Sequence, residues 1–120
     1  MLSETTIADY ERITGETFQY SPELAIKTTP NGEFMLWKLA IHEGTPYFWI
    51  DQTFAKSFSV FAEFICEVCT AAEIEWIVTA TTRNPKSHIR KWHMERLQEH
   101  DYVFEGRFYY VLKGHINNLK

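Results

Sequence analysis

The sequence predicts an α+β fold, a mixed but mainly antiparallel sheet of five or six strands with helices packed on it. Three observations predict it. Glu75 to Val111 reads as a strand, a capped helix and a closing hairpin in one unbroken unit. Leu24 to Ile50 reads as a three-stranded meander punctuated by turn residues. Between them, Thr53 to Ala72 carries apolar residues at helical spacing. Side-chain periods near 2 and 3.6 therefore alternate along one chain, as strands and helices sharing a core require.

Each element has a local reason. Ile7, Tyr10 and Ile13 recur at helical intervals, and Gly15 stops the pattern as a C-terminal cap would. Leu24 to Thr28 reads as a strand and Asn31-Gly32 as a hairpin turn. Phe34 to His42 reads as a second strand in which Met35, Trp37, Leu39 and Ile41 alternate with other residues. Glu43-Gly44-Thr45-Pro46 breaks the chain before Tyr47 to Ile50. The long helix from Thr53 to Ala72 then places Phe54, Phe58, Phe61, Ile65, Val68 and Ala72 on one wide apolar face. Trp76 to Thr82 is a β-branched run suited to a buried strand. Asn84 stands as N-cap with Pro85 at N1, where its missing N–H costs nothing. Two alternating runs, Asp101 to Phe104 and Arg107 to Leu112, flank the turn Glu105-Gly106.

Bulk properties narrow the function. The 120 residues are one domain's worth, and a hydrophobic fraction of 45% with 16% aromatics suffices for a dense core. A net charge of −4 argues against coating nucleic acid or anionic membrane through overall charge. No segment approaches the roughly 18 apolar residues of a membrane span. Met1 to Asp9 lacks the basic and apolar regions of a signal peptide, so the expected location is cytoplasmic. Cys66 and Cys69 share a C-x-x-C spacing that invites a redox or metal reading. They fall on the apolar-periodic segment with no second pair to complete a four-ligand zinc site, so they read as core thiols in a reducing compartment. His42, His88, His93, His100 and His115 match no metal motif, and no G-x-S-x-G elbow supports hydrolysis.

Two local concentrations remain. Arg83, Lys86, Arg90, Lys91 and Arg96 place five of the twelve Lys and Arg residues close together, a site for an anion, a nucleic-acid backbone or an acidic partner surface. The same residues also read as a solvated helix face balanced by Glu95 and Glu99. Phe108, Tyr109 and Tyr110 follow one another on the last strand, where successive side chains face opposite sides. At least one ring must leave the core, which points to a protein contact or self-association.

The strand, Asn-initiated helix and closing hairpin resemble the C-terminal half of the GNAT acetyltransferase superfamily. Within it, YFWIDQ (Tyr47 to Gln52) and NPKSHIRKW (Asn84 to Trp92) look like segments of small tailed-phage internal virion proteins with a degenerate GNAT-like fold. The resemblance covers about residues 34 to 113, and residues 1–120 are expected to form a single GNAT-like domain whose usual first strand is missing or replaced by the N-terminal helix. It implies acetyl-CoA held at a Gly-rich turn before the central helix. Here the matching turn, Asp51 to Phe58, has no glycine and leaves Thr53, Lys56 and Ser57, with Asn84 beyond, as phosphate contacts. It implies also a general-acid tyrosine, where this chain has Lys91, Trp92 and His93. Of these, only His93 carries an imidazole, a side chain whose unperturbed pKa lies near neutrality, and it is the candidate acid. The implied function is therefore a degenerate acetyltransferase-like phage or prophage protein that acts by binding. Its rivals are an active acyl-CoA-dependent N-acetyltransferase and a host-directed inhibitor docking through Arg83, Lys86, Arg90 and Lys91.

Overall fold

The computed structural model describes residues 2–119, with Phe58 described by its backbone alone. Among the described residues, ten α-helices and β-strands follow one another: α1 (Glu4–Thr14), β1 (Ala25–Thr28), β2 (Phe34–His42), β3 (Thr45–Phe54), α2 (Ala62–Ala72), β4 (Trp76–Thr81), α3 (Lys86–Trp92), β5 (Glu95–Arg96), β6 (Tyr102–Phe104) and β7 (Arg107–His115). The seven strands form one sheet in the order β1-β2-β3-β4-β7-β5, and β6 pairs with the first residues of β7. Every pairing is antiparallel except β3 with β4. That parallel step needs a crossover, which α2 provides.

Short signals act as their chemistry demands. Ser3 Oγ accepts the Thr6 N–H to start α1, and Gly15 ends it at φ 73°. Glu43-Gly44 and Glu105-Gly106 are two-residue turns with both residues at positive φ, so their twist matches the strands they join. The first of these turns is tighter than the sequence suggests. Thr45 and Pro46 belong to β3, and Pro46 is tolerated because β4 pairing begins only at Tyr47. The Asn31-Gly32 hairpin is looser than expected. Gly32 N–H bonds the Thr29 carbonyl at 3.1 Å and Thr29 N–H the Glu33 carbonyl at 3.0 Å, so Pro30 and Asn31 form the corner and Gly32 carries the positive φ.

The helix expected over Thr53 to Ala72 divides. Thr53 and Phe54 extend β3, opposite Met35 and Phe34, and a 3₁₀ turn over Phe58–Phe61 leads into α2 at Ala62. Helical spacing begins only where the sheet no longer needs the backbone. Phe61, Ala62, Ile65 and Cys69 are buried and Phe64 and Val68 partly so, whereas Ala72 is exposed and the Phe58 side chain lies outside the described residues.

Two clusters cover opposite faces of the sheet. Under α2, Met35, Phe48, Ile50, Ile65, Ile77, Met94 and Leu112 form the larger. On the other face, Tyr10 of α1 packs with Leu24, Phe34 and Leu36. Phe34, Met35 and Leu36 are therefore all buried, since alternate residues meet different layers. No strand precedes β1 among the described residues; α1 comes before it in the chain and packs on the sheet face through Tyr10. Ile13, expected on its buried stripe, is 56% exposed.

Candidate ligand-binding cleft

β3 and β4 pair only from Tyr47↔Trp76 to Ile50↔Thr79, yet β3 runs on to Phe54 and β4 to Thr81. The strands part there. Thr79 Oγ donates to the Ile50 carbonyl at 3.1 Å, satisfying an acceptor the ladder would otherwise leave open. The gap opens into a cleft of about 720 Å³ walled by both strands, α3, the end of α1 with the segment after it, and the β6–β7 hairpin.

One end is cationic. Lys56, Ser57, Arg83, His88 and Lys91 line it, and Lys91 Nζ lies 3.4 Å from Ser57 Oγ. Burial lowers the His88 pKa, which favours the neutral ring. His88 Nδ1 and Thr53 Oγ are buried with no hydrogen-bond partner among the described residues, so polar capacity is unspent at this mouth. The backbone is less open. Glu33 Oε2 accepts the Lys56 N–H at 3.0 Å, and Ser57 Oγ accepts the Ser59 N–H at 3.3 Å.

The other end is acidic and aromatic. Glu16 Oε2 accepts from Tyr10 Oη at 3.1 Å and Glu16 Oε1 from Tyr109 Oη at 3.0 Å. Asp51 Oδ1 accepts the Trp49 indole N–H at 3.2 Å, and burial raises the Asp51 carboxyl pKa. Tyr102 stacks on Tyr109 with centroids 4.9 Å apart. Burial, then the Asp51 and Glu16 charges, pushes the Tyr102 phenol up to about 12. The segment after α1 is fastened here. Arg107 Nη2 donates to the Gly15 carbonyl at 2.7 Å, and the Gln52 side chain bonds both Gln19 N–H (2.9 Å) and the Thr17 carbonyl (2.8 Å).

Of the residues singled out in the sequence, Thr53, Lys56, Ser57, Arg83 and Lys91 meet in this cleft. Asn84, Lys86, Arg90 and His93 lie outside its lining. Asn84 Oδ1 accepts the Lys86 N–H at 3.0 Å in a side-chain turn, but the cap position falls one residue later than expected: α3 begins at Lys86, Pro85 precedes it as N-cap without a side-chain cap bond, and the Pro85 carbonyl accepts the Ile89 N–H. Lys86 and Arg90 are exposed on α3. His93 is past the helix end at φ 53°, exposed, with its N–H on the His88 carbonyl. Sequence reasoning missed Glu16, Tyr102 and Tyr109 as cleft residues; no spacing connects Glu16 to Tyr109, whose contact spans 93 positions. Cys69 is buried, and burial followed by the nearness of Cys66 pushes its thiol up to about 11, away from nucleophilic use. Both cysteines are free. Among the described residues no His, Cys, Asp and Glu group gathers to hold a metal, and no helix is long and apolar enough to cross a membrane.

No protein-family model matches the chain, and no curated protein matches it either. A solved structure does. A chain in the crystal structure of the NatC complex bound to Gag peptide and CoA, an N-acetyltransferase of the GNAT fold, superposes with a TM-score of 0.57. The match is 14% identical and covers 94% of this chain and 92% of that one. The fold is GNAT-like. At that identity the likeness shows the fold alone. In a GNAT-like frame the cleft lies between the two splayed strands, and Ala55 to Ser57 is the turn entering the central helix.

Proposed function

We propose that this chain is a GNAT-fold protein that acts by binding, without acetyl transfer. The observation that carries the reading is the Glu33 carboxylate on the Lys56 N–H. It occupies a backbone donor and sets negative charge at the turn where a pyrophosphate would have to lie. The absence of glycine from Ala55 to Ser57 supports the same reading, because a side chain on each residue keeps the backbone from close approach.

Calorimetric titration tests it. Acetyl-CoA and CoA should give no binding in the micromolar range, which would correspond to about −8 kcal/mol. Glu33→Ala should strengthen whatever weak binding exists. Micromolar affinity in the native protein, lost in Lys56→Glu, would overturn the reading. The rival, an active acyl-CoA-dependent N-acetyltransferase, is favoured by Asp51, Tyr102 and Tyr109 standing opposite the cationic mouth in one cleft. Acetyl-CoA consumption in the presence of amines would establish it.

In the binding reading the partner is a protein or a second copy of this chain, and exposed Arg83, Lys86 and Arg90 offer it a basic face. The likeness of Tyr47 to Gln52 and Asn84 to Trp92 to tailed-phage segments makes the chain, in the same proposal, a phage or prophage protein that is virion-associated or host-interacting. Reversing Lys86 and Arg90 to Glu should weaken capture of that partner while leaving the fold intact, and the difference should shrink as salt shortens the screening length to about 8 Å at 0.15 M. Equal capture by both proteins would place recognition elsewhere, on the exposed rings of the β6–β7 hairpin.

A further inference from the structure

The side chains of α3 divide by the side of the helix they leave. His88 and Lys91 line the cleft, and Trp92 packs against the core cluster beneath α2. Lys86, Ile89 and Arg90 occupy the opposite side at helical spacing, with His93 just past the helix end, and all four are exposed. Glu95 and Glu99 are the acids that the sequence offers to balance these cations. They are engaged elsewhere. Glu95 lies 3.5 Å from Lys113 on β7, and Glu99 lies 3.9 Å from His100. The side chains of Lys86, Arg90 and His93 form no ion pair among the described residues. Lys91 and Arg96, the neighbouring cations, are turned to Ser57 and Asp101. The outward side of α3 is therefore a basic face without its own counter-charge.

Ile89 decides what kind of counter-charge fits. It is 40% exposed, and an isolated exposed Ile would mean nothing by itself. Beside two unpaired cations it sets the chemistry of a partner. Phosphates would satisfy Lys86 and Arg90 yet leave Ile89 against a charged backbone, whereas the carboxylates of a polypeptide come with apolar side chains a few residues away. Two or three cations are also few for nucleic acid, whose affinity grows with the number of phosphates neutralised, and the net charge of −4 opposes it. That net charge does not forbid an acidic segment, because at about 0.15 M salt charges beyond roughly 8 Å are screened and the local face prevails.

We infer that this side of α3 docks an acidic polypeptide segment of another protein, whose carboxylates meet Lys86 and Arg90 and one of whose apolar side chains covers Ile89. The inference rests on the reading of this chain as a binding protein. It narrows the partner from any protein to a polypeptide that is acidic and apolar over a short stretch.

A random-peptide display library is selected against the native protein, and the recovered sequences are synthesised and titrated by fluorescence anisotropy. They should be richer in Asp and Glu than the library and should carry Leu, Ile, Val or Phe among the acids. Lys86→Glu combined with Arg90→Glu should weaken the best peptide about tenfold at about 0.05 M salt, with a smaller ratio at about 0.5 M. Ile89→Ser should weaken it about fivefold at both, since covering an aliphatic side chain is not a screened interaction. All three positions are exposed, and circular dichroism verifies that the variants fold. Recovery of no peptide, recovered peptides without an acidic excess, or equal affinity for the folded variants would overturn the inference. Tighter binding of single-stranded oligo(dT) or oligo(U) than of the best peptide would overturn it in favour of nucleic acid. Dimerisation of the free protein, abolished by the charge reversal, would overturn it in favour of a second copy. The reading without acetyl transfer fails separately: micromolar acetyl-CoA affinity in a protein that still takes acidic peptides would overturn that reading alone, and a failed selection without acetyl-CoA binding would overturn only this inference.

Discussion

Tyr10→Ala should destabilise the protein by about 3–5 kcal/mol, the range for deleting a buried aromatic side chain. Tyr10 is 1% exposed, and its ring meets Phe34, Phe54 and Phe18 edge-on or nearly so, with centroids 5.1, 5.6 and 6.5 Å away. It is the one fully buried residue of α1, so the attachment of that helix depends on it. Its hydroxyl also holds Glu16 in the cleft wall. Tyr10→Phe keeps the ring and loses that bond, and should cost only about 1–2 kcal/mol. Urea denaturation of both variants separates packing from hydrogen bonding. A loss below about 1 kcal/mol for Tyr10→Ala would mean that α1 is an ornament on the sheet and not part of the cooperative unit.

Asp101→Ala should cost about 2–4 kcal/mol, because one small carboxylate joins three parts of the chain. Asp101 Oδ2 pairs with Arg96 Nη2, and Oδ1 accepts the Val111 N–H at 2.8 Å. The Asp101 side chain is 10% exposed and that of Arg96 24%, so water replaces little of what is lost. Arg96 also lies over the Tyr110 ring at 4.7 Å, and its Nε is buried without a hydrogen-bond partner among the described residues. Removing Asp101 strands a guanidinium and a backbone donor together. Asp101→Asn keeps an acceptor for Val111 and should recover about half of the loss. Guanidinium denaturation would measure both, and a change within about 0.5 kcal/mol for Asp101→Ala would show the pair to be a surface ornament.

Sequence legibility followed the range of the interaction. Gly15 and Glu105-Gly106 act within a few residues, and the structure uses each where local chemistry placed it, whereas the start of α3 falls one residue later than Asn84-Pro85 suggested. The bounds of the second strand, Phe34 to His42, were readable, but its faces were not: Leu39 and Ile41 of the alternating set are exposed, and a register shift falls between Met35 and Trp37. Nor was the helix start at Thr53 readable. Phe54 fits a helical stripe and a strand equally well, and pairing with Phe34, twenty residues earlier, decided between them. The cleft divides in the same way. Lys56, Ser57 and Arg83 were visible as cations and hydroxyls near helix starts, whereas Glu16 gave no sign until α1 folded across to Tyr109.

Local sequence thus determined the order of helices and strands, the tight turns and the mixed α+β class, because backbone preference and side-chain period are properties of short segments. Tertiary structure alone decided three things. Parting of β3 from β4 after Ile50 and Thr79 made the cleft. Long-range bonds brought Glu16 to Tyr109 and Glu33 to Lys56, giving one end its acidic, aromatic wall and occupying a backbone donor at the other. Coverage of both sheet faces buried Phe34, Met35 and Leu36 together. Each of these depends on which distant segments share a surface, and that follows from the burial of the whole chain at once, a quantity no local window contains.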